Sequence, residues 1–296
     1  MKVLTLDIGG SFIKYACMKD YETYEEKGKI PTPMTCMEDL FDAIQGLWKQ
    51  YGKDAEGLAI SMPGVIDSQN GYAYNAGALQ YLRERPFAQE LQELLGCKVW
   101  IGNDAKCAGI AEVGYGSLKG VQDAFVIILG TAIGGCMIKD GKVHNGKHFS
   151  AGEVSNLRID CHRPYDADAC WYAINGSAGL LGMVQRHLGT KETYSGEEIF
   201  EMIQQGNIDA MHALEEFCEN LALQIFNMQV IFDGEKVAIG GGISAQPLLL
   251  ETLQRKFDDI YNSFFVPIYK PEITVCKFRN DANLIGAYYQ FQQTFE

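Results

Sequence analysis

Val3-Leu4-Thr5-Leu6-Asp7-Ile8-Gly9-Gly10-Ser11-Phe12-Ile13-Lys14 opens the chain with an apolar run that ends in an aspartate, turns on two glycines and a serine, and leaves as a second apolar run through Tyr15, Ala16 and Cys17. Two short β-type runs joined by a Gly-rich turn read as a hairpin. Glycines at such a turn allow positive φ and bring backbone N–H groups close to an anion. The inferred anion is a nucleotide phosphate. Neither the P-loop nor the dinucleotide fingerprint describes the turn, because in both the glycines open a helix; here a strand follows.

A lone Gly-Gly hairpin is more often structural than ligand-binding. This one has an echo: residues 125–138 run Phe-Val-Ile-Ile-Leu-Gly-Thr-Ala-Ile-Gly-Gly-Cys-Met-Ile, again strand, Gly/Thr turn and strand. The recurrence predicts two copies of one unit facing each other across a cleft.

A chain of 296 residues is long for one core, so two domains are expected. The formal charge of −13, with no basic patch, argues against a nucleic-acid surface. Residues 1–6 are too short for a signal peptide and no apolar run approaches the ~18 residues of a spanning helix, so a cytoplasmic protein with no membrane partner is expected. Nine cysteines lie mostly inside apolar runs, the pattern of reduced core thiols, and no disulfides are expected.

Along the chain, Tyr21 to Lys29 reads as a strand plus a solvated turn. Leu40, Phe41, Ile44, Leu47, Trp48 and Tyr51 follow helical spacing from Met37, with Gly52 at the helix end. Gly57 to Ser61 reads as a buried strand running into a turn at Met62-Pro63-Gly64, a common ligand position at a strand's carboxyl end. Phe87 to Leu95 is a short helix stopped by Gly96. Lys98 to Ile101 is a strand ending in Gly102-Asn103-Asp104-Ala105, and Ala105 to Val113 reads as a helix. Asp104 thus stands at a strand exit and a helix N-terminus, where it is either a plain N-cap or an ionised functional carboxylate.

Gly141 to Phe149 reads as a loop leading to Ser150-Ala151-Gly152-Glu153-Val154-Ser155-Asn156, and residues 160–177 show no clear pattern before a helix near Ser177. Met211, Leu214, Cys218, Leu221, Ile225, Met228 and Phe232 form a core-facing helical stripe. A strand at Val237 to Ile239 leads into Gly240-Gly241-Gly242-Ile243-Ser244. Pro247 to Phe265 reads as an amphipathic helix, Ile273 to Cys276 as a last strand, and Asp281 to Phe295 as a closing helix in which Gly286 permits close packing. Alternating strands and helices indicate the α/β class.

The order and spacing of these motifs resemble the ROK family of sugar kinases, within the actin, Hsp70 and hexokinase superfold, over nearly the whole chain. The matches are residues 7–14 (Asp-Ile-Gly-Gly-Ser-Phe-Ile-Lys) to the first phosphate motif, Asn103-Asp104-Ala105 to the connecting motif, residues 129–135 (Leu-Gly-Thr-Ala-Ile-Gly-Gly) to the second phosphate motif, and residues 239–244 (Ile-Gly-Gly-Gly-Ile-Ser) to the adenosine motif. The resemblance implies two ribonuclease-H-like α/β domains with an interdomain cleft. The first spans residues 1–115, with the helix 281–296 packing back on it, and the second spans 116–280. It implies phosphates held by Gly9, Gly10, Ser11, Lys14, Gly130, Thr131 and Gly134, adenosine beside Gly240, Gly241 and Gly242, and Mg2+ near Asp7. By the same resemblance Asp104 is the catalytic base, and Asn103, Asp104, Gly64, Asn75, Glu153 and Asn156 line the sugar pocket. The implied reaction is ATP-dependent phosphorylation of a hexose or glucoside 6-hydroxyl, and dimers are common in the family.

The departures from the family pattern matter. Asn156 stands where most members carry a zinc-binding histidine. The cysteine cluster is reduced to Cys161, His162 and Cys170, short of the four paired ligands of structural zinc. No structural zinc is therefore expected. Trp171 and Tyr172 stand where a sugar-binding glutamate would be. They are either core residues or aromatics that stack on a substrate ring, and the latter favours a β-glucoside, a disaccharide or an N-acylhexosamine over plain glucose.

Competing readings are a sugar-sensing regulator, a degenerate binding protein, and an iron–sulfur activator ATPase. The first wants a DNA-binding segment ahead of the hairpin, the second the loss of Asp104, and the third clustered cysteines. The sugar, its anomer and a donor other than ATP, such as polyphosphate or GTP, stay open at this level.

Overall fold

A computed structural model describes residues 1–263 and 268–296. The chain divides into two compact units: Met1–Lys119 with Asn145–Ala151 and Asn280–Glu296, and Gly120–His144 with Gly152–Arg279.

In the first unit β1 (Val3–Ile8) turns into β2 (Phe12–Met18), followed by β3 (Tyr24–Pro31), helix α1 (Met37–Tyr51), β4 (Gly57–Met62), the short pair β5 (Ile66–Asp67) and β6 (Tyr72–Ala73), helix α2 (Phe87–Leu95), β7 (Lys98–Asn103) and helix α3 (Asp104–Tyr115). The sheet order is β3-β2-β1-β4-β7. β1 is antiparallel to β2, while β1, β4 and β7 run parallel. Central position explains composition here: every residue of β1 and β4 is buried, so both strands are near-continuous apolar runs rather than alternating ones. On α1 the buried Met37, Leu40, Ile44 and Leu47 recur every three or four residues and face the sheet. Gly96 ends α2 at φ 67°, the left-handed position that glycine takes without a Cβ penalty.

The second unit repeats the plan. β8 (Ala124–Leu129), β9 (Ile133–Lys139) and β10 (Lys142–Val143) are followed by helices α4 (Trp171–Asn175), α5 (Ser177–Leu188), α6 (Gly196–Gln204) and α7 (Ile208–Phe232), then β11 (Lys236–Gly241), α8 (Pro247–Ser263) and β12 (Glu272–Val275). The order β10-β9-β8-β11-β12 is that of the first sheet, strand for strand. The repeated hairpin in the sequence is therefore the opening of a repeated five-stranded sheet. On α7, Leu214, Phe217, Leu221 and Ile225 are fully buried. Each such side chain stabilises the fold by roughly 1.5–3 kcal/mol relative to exposure, so Phe217→Asp would break this layer. The end of α8 expected at Phe265 lies outside the described residues.

The closing helix α9 (Ala282–Phe295) belongs to the first unit. Tyr288 donates its hydroxyl to Lys19 O at 2.5 Å and to Met1 O at 3.2 Å. A Cβ on Gly286 would overlap Cys107 O, so glycine is what lets α9 lie against α3. Residues 145–151, assigned from sequence to the second domain, cluster with the first unit, to which Lys106 Nζ ties them by donating to Phe149 O at 2.5 Å. Among the described residues no helix is long and apolar enough to cross a membrane.

Candidate active site

In the first unit the carboxyl ends of the parallel strands form one edge. Register pairs Asp7 with Ser61 and Ser61 with Gly102. Asn103 and Asp104 therefore emerge two strands from Asp7, ~10 Å along that edge at ordinary strand spacing. Asp7 is 6% exposed. Its Oδ1 accepts from Ser61 Oγ at 3.1 Å and from Asn283 Nδ2 at 2.9 Å, and its Oδ2 from Lys14 Nζ at 3.4 Å. Sequence reading found Asp7 and Lys14. It missed Ser61 and Asn283, whose roles arise only when β4 and α9 pack beside β1.

The Gly9-Gly10-Ser11 turn is closed by Gly9 N–H donating to Phe12 O at 3.0 Å, and it is anchored by Thr32, which donates Oγ1–H to Gly9 O at 2.7 Å and N–H to Ser11 O at 3.0 Å. Neither Gly9 nor Gly10 has positive φ, nor have Gly130 and Gly134, so the conformational reason expected for these glycines does not hold. Around Gly10 the space is open: a Cβ there would meet only Ala78 Cβ, at 3.9 Å, and the residue is exposed.

Asn103, rather than Asp104, caps α3: its Oδ1 accepts Lys106 N–H at 3.0 Å, while its Nδ2 donates to Gly64 O at 2.9 Å. One amide N–H remains as its further donor capacity. Asp104 is the first helical residue, half-buried, with Oδ1 accepting Ala105 N–H at 2.8 Å. Gly64 does use its freedom, at φ 102°, and a Cβ there would overlap Asn75 O. Asn75 is exposed, and its Oδ1 accepts Val65 N–H at 3.3 Å. Asp7, Gly64, Asn75, Asn103 and Asp104 are thus tied to one edge of one unit.

In the second unit the matching edge carries the other motifs. Gly240 pairs with Ile128 and Gly241 with Leu129, which sets Gly130 beside Gly242 at adjacent strand ends. Gly241 takes φ 97°, and a Cβ on it would overlap Leu129 O; around Gly242 the space is open. A cavity of about 860 Å3 opens here, lined by Gly130, Thr131, Ser177, Leu181, Tyr194, Ser195, Gly196, Gly242, Ile243 and Gln246 among others. It is within the size range of small-molecule sites, roughly 300–1,000 Å3. The N-terminus of α5 abuts the turn, since Ser177 N–H donates to Gly130 O at 2.9 Å. Its partial positive charge favours an anion there. Tyr194, Ser195 and Gly196 were missed by the sequence reading, although Ser195-x-x-Glu198 is a capping box that signals α6. Gly134 lies in β9 opposite Ile128, past the turn in which it was expected. The residue that must be glycine is Gly135, where a Cβ would overlap Gly152 O. Glu153 and Asn156 bound a 3-10 turn that Ser155 Oγ anchors to Ile133 O. They belong to this unit, while the other expected sugar residues belong to the first.

A family model described as the ROK family matches residues 3–294. The chain belongs to the ROK family. A beta-glucoside kinase of Klebsiella pneumoniae is 29% identical to it, over 100% of this chain and 97% of the relative. An N-acetyl-D-glucosamine kinase of Vibrio atlanticus is 28% identical, over 95% of this chain and 96% of its own. A ROK family protein from Streptococcus pneumoniae, solved in complex with sucrose, superposes with a TM-score of 0.87 at 27% identity, covering 99% of each chain.

Trp171 is fully buried in the core of the second unit, its Nε1–H donating to Asn175 Oδ1 at 2.7 Å, and Asn175 Nδ2 in turn to Phe217 O at 2.8 Å. It is therefore a core residue, and the substrate-stacking role considered for it falls away. Tyr172 is 37% exposed. Cys161 and His162 are exposed while Cys170 is buried, and among the described residues no three His, Cys, Asp or Glu side chains converge as a metal site.

Proposed function

We propose that this protein transfers the γ-phosphoryl group of ATP to the 6-hydroxyl of a hexose or glucoside. The observation that carries the reading is the cavity running from Gly130 and Thr131 to Gly242, which joins the expected phosphate loop to the expected adenosine loop in one nucleotide-sized space. At the edge of the other unit stands half-buried Asp104, the residue after the Asn103 cap, as the proposed acceptor of the hydroxyl proton.

In the proposed reaction the sugar oxygen attacks the γ-phosphorus and the bond to the β,γ-bridging oxygen breaks. ADP leaves, and the hydroxyl proton passes to Asp104. Phosphoryl transfer asks the protein for alignment and charge neutralisation more than covalent chemistry. Backbone N–H groups of the Gly10 and Thr131 turns, the α5 N-terminus and Lys14 supply positive charge. Asp7 suits Mg2+, which takes oxygen ligands, keeps several waters and needs only one or two carboxylates beside substrate phosphates. When bound there, the ion neutralises phosphate charge.

An N-acylhexosamine is the second substrate class, favoured by a relative named for N-acetyl-D-glucosamine at nearly the same identity as the one named for β-glucosides. The test is ADP release against a panel of hexoses, N-acylhexosamines and glucosides. Release that depends on one of these sugars supports the proposal, and release indifferent to every sugar contradicts it.

A further inference from the structure

Beside the proposed sugar residues stands an aromatic pair with no assigned role. Tyr74, 44% exposed, precedes Asn75, and its ring stacks on that of Phe149 with centroids 6.3 Å apart and planes 27° apart. Tyr72 braces Tyr74 edge-on at 5.0 Å. Neither Tyr74 nor Phe149 belongs to the hydrophobic core of the first unit.

Phe149 takes φ 58°, a left-handed conformation that a bulky residue keeps only when its surroundings impose it. Lys106, 4% exposed on α3, supplies that constraint by donating Nζ to Phe149 O at 2.5 Å. The backbone N–H of the same lysine is held by Asn103 Oδ1, Asn103 Nδ2 holds Gly64 O, and Asn75 Oδ1 holds Val65 N–H. Both rings of the pair are thereby tied to the turn that presents Asp104. Strained backbone held by a buried ammonium, with the ring left half-exposed, indicates a surface shaped for a ligand rather than for packing.

We propose that Tyr74 and Phe149 form a shelf for a second ring, sugar or aryl, attached to the hexose whose hydroxyl meets Asp104, so that the preferred substrate is a glycoside rather than a free monosaccharide. This rests on the kinase reading. The C–H face of a pyranose, like an aryl ring, lies well on an aromatic face, and such contacts contribute about tenfold in affinity. Tyr74 is exposed enough for its truncation to leave folding intact.

The experiment compares kcat/KM for glucose, N-acetylglucosamine, cellobiose, gentiobiose and maltose in the wild type, Tyr74→Ala and Tyr74→Phe. One of the disaccharides outruns both monosaccharides in the wild type. In Tyr74→Ala its loss exceeds that on glucose by about tenfold, mainly through KM, and Tyr74→Phe restores it. A wild type that prefers a monosaccharide, or a Tyr74→Ala loss shared equally by glucose and disaccharide, overturns the shelf and leaves the kinase standing. Absence of sugar-dependent ADP release throughout overturns the kinase reading and the shelf with it.

Discussion

Asn103 Oδ1 accepts the backbone N–H of Lys106 at 3.0 Å, and this bond, not one from Asp104, closes the first turn of α3. The neighbouring Asp104 carboxylate accepts the adjacent Ala105 N–H of that turn, at 2.8 Å. Asn103→Ala removes the cap and the Nδ2 bond to Gly64 O together. We expect a stability loss of about 1–3 kcal/mol in urea unfolding, whereas Asn103→Asp, which keeps the acceptor, loses less. Equal losses in the two variants would remove the cap from the account.

The contact of α9 with α3 admits no side chain at Gly286. Gly286→Ala gains up to ~1 kcal/mol of helix propensity, but its Cβ meets the Cys107 carbonyl in hard overlap, with Cys107 Cα 3.0 Å away. Overpacking of backbone costs about 1–3 kcal/mol and wins. Thermal unfolding is expected to show a lower Tm for Gly286→Ala; a raised Tm would mean that the helices slide apart without penalty.

Glu216 offers a pH signature in the second unit. Burial pushes its carboxyl pKa up, but His187 Nε2 at 2.9 Å and Arg186 Nη2 at 2.6 Å outweigh this, so it lies below the ordinary glutamate range. A carboxyl lowered by folding stabilises the fold above its unfolded pKa, ~4.3, and that contribution is lost as pH falls through the lower folded value. The side chain is 39% exposed, so solvent screening limits the effect to under ~1 kcal/mol. Glu216→Gln should therefore unfold at a lower Tm than wild type at pH 7, with the gap closing in acid. A gap of the same size at both pH values would show that the pair is not responsible.

Much of the framework is legible in the sequence because buried parallel strands are continuous apolar runs and core-facing helices keep their three-and-four spacing, as in α1 and α7. The paired hairpins announce the repeated sheet for the same reason. What escapes is set by tertiary neighbours. Nothing local marks Asn283 as a donor to Asp7, 276 residues away. Trp171 and the sugar-site candidates look alike in a linear chain, and only burial in the packed second unit, where its Nε1–H finds Asn175 Oδ1, makes Trp171 core. The glycines at 9, 10 and 130 are recognisable as special, yet the positive φ inferred for such turns belongs instead to Gly64 and Gly241, where backbone approaches backbone. Helix α6 is the exception, because its capping box is written in Ser195 and Glu198.

In the proposed reaction Asp104 acts at the sugar hydroxyl while separate residues hold the nucleotide. The direct measurement is Asp104→Asn, with the ATP dissociation constant from calorimetry set beside kcat for the best sugar of the panel. Nucleotide affinity within a few-fold of wild type and kcat lowered at least ~10²-fold, the range a positioned base supplies, is the predicted result. Turnover within a few-fold of wild type would contradict it.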